Sequence, residues 1–533
     1  MPEIAVAASR IRGAALTIGS EVRRSNNEPA ADVPPFAWRT VSAVAALAGV
    51  LFLTRLGRYE FGGDELYFIA AGHHPAPSYA DQGPVVPLLA ALADTVAPGS
   101  TVALRLPALA MTIAAIVLSA LLAREFGGGR LAQTLAAAAY ATTPLAVMQS
   151  AMLSTFGVDV TLTALVSWLL IRWVRTRRDH LLVFAGVVVA VDFQVKWLIP
   201  MVWAGLAVGV LVFGPREMLR RPAWWAGSAI PVASAVPMLW WQHRNGWPQL
   251  SMGAVVRDEQ LATSGLANMP VQIVMVTGVL GLLLVAGMWA GLRWDRLRPY
   301  RFVIPVIAIG LVGIVGGGLR PYFVGGAFPG LFAAGAVYLA DRGLSRRAWA
   351  AGGGLLALAT ALCVAVTVML PLPISRLHTP TDRYSQLDSR SRYFGPSGWD
   401  GLVDTVADAY RKVPPDQRPG LVIITQNYWQ AAALDHAAPA DLPDVYSPNR
   451  GYGFFGPPPD TATSVLYVGV DGPSEALQTR FTEQTAIARI DEPLGFPSVD
   501  RGVTIWHCRF PSHPWSQAWP EIRTLPLVDG TTR

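Results

Sequence analysis

Three carboxylates, Glu60, Asp64 and Glu65, flank a Gly-Gly turn in the stretch RYEFGGDELYFIAAGHH, which lies between one apolar run and a second, half-apolar one. Asp, Glu and His are the side chains that pass protons or hold cations. The same loop adds His73, His74, Asp81 and Asp94. Further along stand Asp159 in LSTFGVDV, Asp192 and Lys196 in AVDFQVKW, His243 and Arg244 in WWQHRNGW, and Arg320 and Tyr322 in GLRPYF. Each borders an apolar run, where a charge costs about 2.5–3.5 kcal/mol on the insertion scale, so these groups are candidates for function by default.

Asp64 reads in two ways. It can cap a helix that begins DELYF; with Glu65 beside it and a Gly-Gly turn that lets a substrate approach the backbone, it can also be an acid–base group. His73 and His74 read as solvated interfacial residues or, with Asp159, as candidate ligands of a divalent ion, although no spacing demands a metal. Asp192 and Lys196 lie four apart and can pair on a helix; alternatively Lys196, one of two lysines in the chain, offers its ammonium to a phosphate. Asp81, Asp159, Lys196, His243, Arg320 and Tyr322 are the candidate substrate-binding residues.

These groups need elements to hold them. With 52% hydrophobic and 15% charged residues, a chain of 533 residues is no soluble globular enzyme. A bilayer core of about 30 Å takes roughly 20 apolar residues per helix. Eleven such stretches are expected, near 37–55, 101–123, 131–148, 157–174, 181–195, 197–213, 223–241, 271–292, 302–318, 323–340 and 348–370. The long loop at about 56–100 should form interfacial helices, because GPVVPLLAALADTV places Val85, Leu88, Leu89, Leu92 and Val96 on one helical face.

Arginines crowd alternate loops at about three to one, which predicts a cytoplasmic N-terminus, an odd number of spans and an extracytoplasmic C-terminal region in a multi-pass protein of the plasma (inner) membrane. That distribution also accounts for the net charge of +6 without nucleic acid as a partner. Residues 1–35 read as a disordered cytoplasmic tail with no cleavable signal, 36–372 as the membrane domain and 373–533 as an outer α/β domain. In the last, GLVIIT, SVLYVGV, QTAIARI and GVTIWHCRF read as strands, and QNYWQAAALDHA and PSEALQTRF as helices. YSPNRGYGFFGPPPD is a long loop whose rings either pack on their own domain or face sugars or lipid head groups. Cys363 and Cys508 lie in different environments and read as packing residues.

Outer-facing acids, cations able to hold a phosphate and an outer soluble domain together suggest transfer from a lipid-linked donor. A polytopic transporter or lipid-linked sugar flippase is the alternative; its acids would sit near the middle of the membrane between repeats, and no repeat is visible. A scaffold whose outer domain binds partners is a third reading.

The stretches GGDELYFIAAGHHPAPSYADQGPVVPLLAALA, ALRLPALA, LLAREFGGGRLAQTLAA, LSTFGVDV, VKW, NGWPQL, RPYFVGGAFPGLFAAGAVYLA and NYWQAAALDHAAPADLPDVYSPNRGYGFFGPPP together resemble glycosyltransferase family 39, which includes protein O-mannosyltransferases and aminoarabinose lipid A transferases. The resemblance implies a GT-C membrane fold, a polyprenyl-phosphate sugar as donor, a protein, lipid or polysaccharide acceptor and inverting displacement at the outer face. It places Asp64 at the family's catalytic aspartate, Glu65 at its acidic neighbour and Asp159 at a second acid after the third span. Lys196 falls on an Asn-Lys-Tyr-like motif that here reads VKW, and Gly83-Pro84 stands where two prolines are common.

Overall fold

The computed structural model describes residues 33–527, apart from 264, 266–267, 318–319, 380–385, 396–397, 438, 471–479 and 493–494. The expected tail and the helix expected at PSEALQTRF lie largely or wholly outside the described residues.

All eleven expected stretches are helical. They are α1 (Trp38–Leu53), α4 (Thr101–Glu125), the pair α5 (Arg130–Ala141) and α6 (Pro144–Ala151), α7 (Thr155–Thr176), α8 (His180–Phe193), α9 (Ile199–Phe213), α10 (Pro222–Arg244), α12 and α13 (Met269–Thr277 and Gly281–Arg293), α14 (Ile304–Gly317), α15 (Phe328–Asp341) and α16 (Arg346–Met369). Six helical segments among the described residues are long and apolar enough to cross a membrane, and α5 with α6 makes a seventh. That third stretch is bent by 58°. Pro144 opens α6, and the Thr143 hydroxyl caps it by accepting from the Ala146 N–H at 3.2 Å. The fifth and sixth stretches, α8 and α9, have 14 and 15 residues. At 1.5 Å per residue each is about 21–23 Å long, shorter than a bilayer core.

Two helices fill the first long loop, α2 (Gly63–His73) and α3 (Val85–Val96). Along α3, Leu88, Leu92 and Val96 are exposed while Val86 and Ala90 are buried, the pattern of a helix lying along an interface. A polar helix, α11 (Pro248–Thr263), follows α10.

The C-terminal domain carries a five-stranded sheet in the order β2-β1-β3-β5-β4. Its strands are β1 (Leu421–Thr425), β2 (Val445–Tyr446), β3 (Ser464–Val470), β4 (Phe481–Asp491) and β5 (Arg501–Pro511), with α17 (Trp399–Lys412) and α18 (Tyr428–Ala437). β1 runs parallel to β2 and β3, and β5 runs antiparallel to β3 and β4. β1 is buried along its whole length, as an apolar run in a parallel pair covered on both faces requires. The domain is docked on the bundle: one apolar cluster runs from Leu66, Tyr67 and Ile69 of α2 to Tyr428, Ile423 and Leu466. The aromatic loop after β2 packs across this junction, with Phe455 stacked on His74 at 4.6 Å and Phe454 against Trp241 at 5.6 Å.

Candidate active site

The start of α2 separates the first three acids. Its N-cap is Gly62, so Asp64 does not cap the helix as one reading expected; Glu65 reaches back to the Gly62 N–H at 2.9 Å instead. Glu65 is fully buried and also accepts from Arg105 Nε at 2.9 Å, Arg105 Nη2 at 2.7 Å and the Leu153 N–H at 3.0 Å. Arg105 in turn donates to the carbonyls of Leu56, Tyr59 and Glu60. Both Glu65 oxygens are therefore spent holding the turn, α4 and α7's approach together. Expected at the catalytic position as the supporting neighbour of Asp64, Glu65 has both carboxylate oxygens taken up by these hydrogen bonds. The Glu60 side chain is exposed.

With the cap supplied by Glu65, Asp64 points outward from α2 and is exposed. Its Oδ1 accepts from the Tyr428 hydroxyl at 2.7 Å and from Trp429 Nε1 at 2.9 Å. Gly63 permits this contact, since a Cβ there would lie 2.4 Å from the Trp429 ring. Tyr428 Oη accepts from Arg450 Nη1 at 3.0 Å, and the Arg450 guanidinium also forms a very short ion pair with Glu259 Oε1 on α11. Arg320 Nη2 lies 3.8 Å from the other Glu259 oxygen, and Arg320 Nη1 donates to Tyr322 Oη at 3.2 Å. The chain Asp64–Tyr428–Arg450–Glu259–Arg320 thus crosses four separate parts of the sequence.

Arg450 has φ 48, a region that costs a non-glycine residue about 1–3 kcal/mol and persists only where surroundings over-determine it. The end of the chain does so: the Thr524 carbonyl accepts from the Arg450 N–H at 2.7 Å, and the Leu525 carbonyl accepts from its Nε at 3.1 Å. Gly451 follows because a Cβ there would overlap the Tyr67 hydroxyl.

Asp81 joins from the loop before α3, accepting from the Tyr67 hydroxyl at 2.9 Å. Burial pushes its carboxyl up to about 6, against a smaller downward pull from Arg450 and the Tyr67 hydroxyl. The Gly83-Pro84 departure has a physical reason: a Cβ at Gly83 would come within 2.0 Å of the Gln194 carbonyl. That close approach fixes the Asp81 loop against the turn that carries Lys196.

Lys196 does not form the ion pair with Asp192 that helical spacing allows. Its ammonium lies over the Phe323 ring at 4.1 Å and 5.8 Å from the Tyr322 ring, so it faces the aromatic pair that Arg320 also touches. Asp159 and Asp192 sit behind it in the bundle, both buried. His243 is exposed at the end of α10, 6.1 Å from the Trp247 ring, and stands apart from this cluster. His73 lies 3.4 Å from Asp94 and His74 is stacked on Phe455, so neither converges with Asp159. Among the described residues no group of three His, Cys, Asp or Glu side chains is arranged to hold a metal ion.

Residues 81–241 match the family model for dolichyl-phosphate-mannose-protein mannosyltransferase. No curated protein sequence matches the chain. The crystal structure of ArnT from Cupriavidus metallidurans bound to undecaprenyl phosphate superposes with a TM-score of 0.58 at 14% identity, covering 88% of this chain and 98% of that one. Its apo form gives 0.56 at 15% identity, covering 88% and 97%. The chain has the GT-C fold. This bears out the family resemblance over residues 81–241 and, across most of the chain, the fold that it implied.

Within the GT-C fold, sequence reasoning missed Glu259, Tyr428, Trp429 and Arg450. The one available signal was the arginine between Asn449 and Gly451 in a Pro- and Gly-rich loop, a position where backbone constraint rather than solvation is the economical reading. It also missed Gln242, which ties α10 to the Asp81 loop by donating to Ser78 Oγ at 3.0 Å and the Tyr79 carbonyl at 2.9 Å.

Proposed function

We propose that this protein transfers a sugar from a polyprenyl-phosphate donor to a hydroxyl acceptor of the cell envelope, by a single inverting displacement at the outer face of the plasma membrane, with the N-terminus cytoplasmic and the sheet domain outside. The carrying observation is that one carboxylate, Asp64, shares a continuous polar chain with two arginines, Arg450 and Arg320. A base and a phosphate-binding pair on one cavity are what in-line attack at an anomeric carbon requires.

In this mechanism the acceptor oxygen attacks the anomeric carbon while its proton passes to Asp64 Oδ2. The carbon–oxygen bond to phosphate breaks and its electron pair leaves on the phosphate oxygen. Two donors on Oδ1 fix the carboxylate's rotation, and among the described residues none donates to Oδ2. Arg320, Arg450 and Lys196 stabilise the leaving phosphate, with Tyr322 fixing Arg320 and Asp81 holding Tyr67 beneath Tyr428. Guanidinium groups suit the task because they bind phosphate oxygens in pairs. Sugar identity would be set in the space between Asp64 and these cations.

The test is transfer from a labelled polyprenyl-phosphate sugar in isolated membranes. Asp64→Asn should lower the rate about 10²–10⁴-fold, the usual contribution of a positioned base, while membrane insertion and thermal stability stay at wild-type values. Wild-type rates in that variant would remove Asp64 from the mechanism.

A further inference from the structure

Glu259 stands where the functional reading needs a phosphate. Its two oxygens face two different guanidinium groups, Oε1 toward Arg450 and Oε2 toward Arg320, as two non-bridging phosphate oxygens would. Oε1 also accepts from the Leu527 N–H at 2.9 Å, so the seat offers a backbone donor as well. Its closure is uneven. The Arg450 contact is tight and buried, whereas the Arg320 contact is 3.8 Å long and the Arg320 side chain is 39% exposed.

We propose that Glu259 is a displaceable occupant of the donor's phosphate seat: it neutralises Arg450 and Arg320 in the unloaded protein, and the phosphate of a polyprenyl-linked substrate replaces it. The inference rests on the lipid-linked donor reading and adds an internal competitor to it. Exchange of one carboxylate for one phosphodiester leaves the charge between the arginines unchanged, so the swap needs no uncompensated charge at the membrane face. The leaving group is a phosphomonoester with up to one further negative charge, and Glu259 competes with it too, which favours product release.

The helix that carries Glu259 is built to move. Its buried stripe is narrow, Met252, Val255, Glu259 and Gln260, while Leu250 and Leu261 are exposed. Two buried apolar side chains give little to hold a helix of 16 residues. The ion pair with Arg450 and the hydrogen bond from Leu527 tie it to the sheet domain, so displacing Glu259 releases the helix from that domain.

Binding of undecaprenyl phosphate to the full chain in nanodiscs, with undecaprenol as control, tests this. A wild type that does not prefer the phosphate over the alcohol sinks the donor reading itself. Given that preference, Glu259→Gln and Glu259→Ala should bind undecaprenyl phosphate about tenfold tighter or more, since a charge-assisted hydrogen bond no longer competes. Affinity at or below wild type in both variants overturns the proposal, because Glu259 would then only orient the arginines. A second measurement keeps the site intact. A spin label on Leu261→Cys should gain mobility on addition of undecaprenyl phosphate and not of undecaprenol; an unchanged spectrum with the bound phosphate overturns displacement.

Discussion

The helix α4 has a buried arginine–glutamate cluster near each end, and the two are put to different uses. Near its start Arg105 grips Glu65, and the next residue to that glutamate, Asp64, is left exposed with a tyrosine hydroxyl and an indole on it. At its other end Glu125 is the last helical residue, held by Arg175 at 2.7 Å with Arg124 and Arg172 at 3.9 Å. Among the described residues no second carboxylate pairs with the arginines that hold Glu125, and the neighbouring cavity, lined by Phe126, Ile171, Leu297, Tyr300 and Arg301 among others, has no acid in its wall. Buried ion pairs are thus common to both ends and mark neither as a site. What distinguishes the domain-capped end is an exposed carboxylate joined through Tyr428 to Arg450 and, through Glu259, to Arg320.

Substitutions should break this comparison in a definite order. Asp64→Asn removes the exposed carboxylate that marks the domain-capped end, so its effect should fall on rate, as set out above. Glu65→Gln should do the reverse. Arg105 is 1% exposed, and removing one partner of a buried pair costs about 3–5 kcal/mol. The expected outcome is a large drop in thermal stability and in the amount of folded protein. If Glu65→Gln were to keep wild-type stability and lose transfer, Glu65 would belong to the chemistry rather than to the scaffold.

A smaller effect sharpens the difference at the capped end. Asp81 is lifted from 3.8 to about 6, chiefly by burial. A raised carboxyl favours the protonated folded state, so its contribution to stability is complete below about pH 4 and is lost as pH rises through about 6. The melting temperature should therefore fall across that window more steeply in wild type than in Asp81→Asn. Equal slopes in the two would show that the Asp81–Tyr67 contact does not sense pH.

How much of this was legible in the sequence follows from the reach of each interaction. Asp64 could be picked out because an acid at the edge of an apolar run, next to two glycines, is costly unless used. The strands could be read because GLVIIT and SVLYVGV are short apolar runs with turn residues at their ends. The means by which Glu65 supports Asp64 could not, because it depends on Arg105, 40 positions away. Tyr428 and Trp429 lie 364 and 365 positions from Asp64, and Arg450 lies 191 from Glu259. Those pairs join the sheet domain to α2 and α11, and no local periodicity encodes that docking. The bounds of the two short helices α8 and α9 could be read to within two residues, because Gln194 and Lys196 interrupt the apolar run where the backbone turns.

The smallest predicted effect lies at the far end. Glu125 is wholly buried, but its arginines keep 16–29% of their side-chain surface in solvent. When Glu125→Gln removes the charge, those guanidinium groups can turn to water, so the loss should be about 1–2 kcal/mol, near that of one charged hydrogen bond. Stability should fall modestly, and the transfer rate per folded molecule should stay at the wild-type value. A rate loss in Glu125→Gln as deep as that of Asp64→Asn, with the protein still folded, would mean that the two ends of α4 are coupled in turnover, and the contrast between a structural end and a reactive end would have to be abandoned.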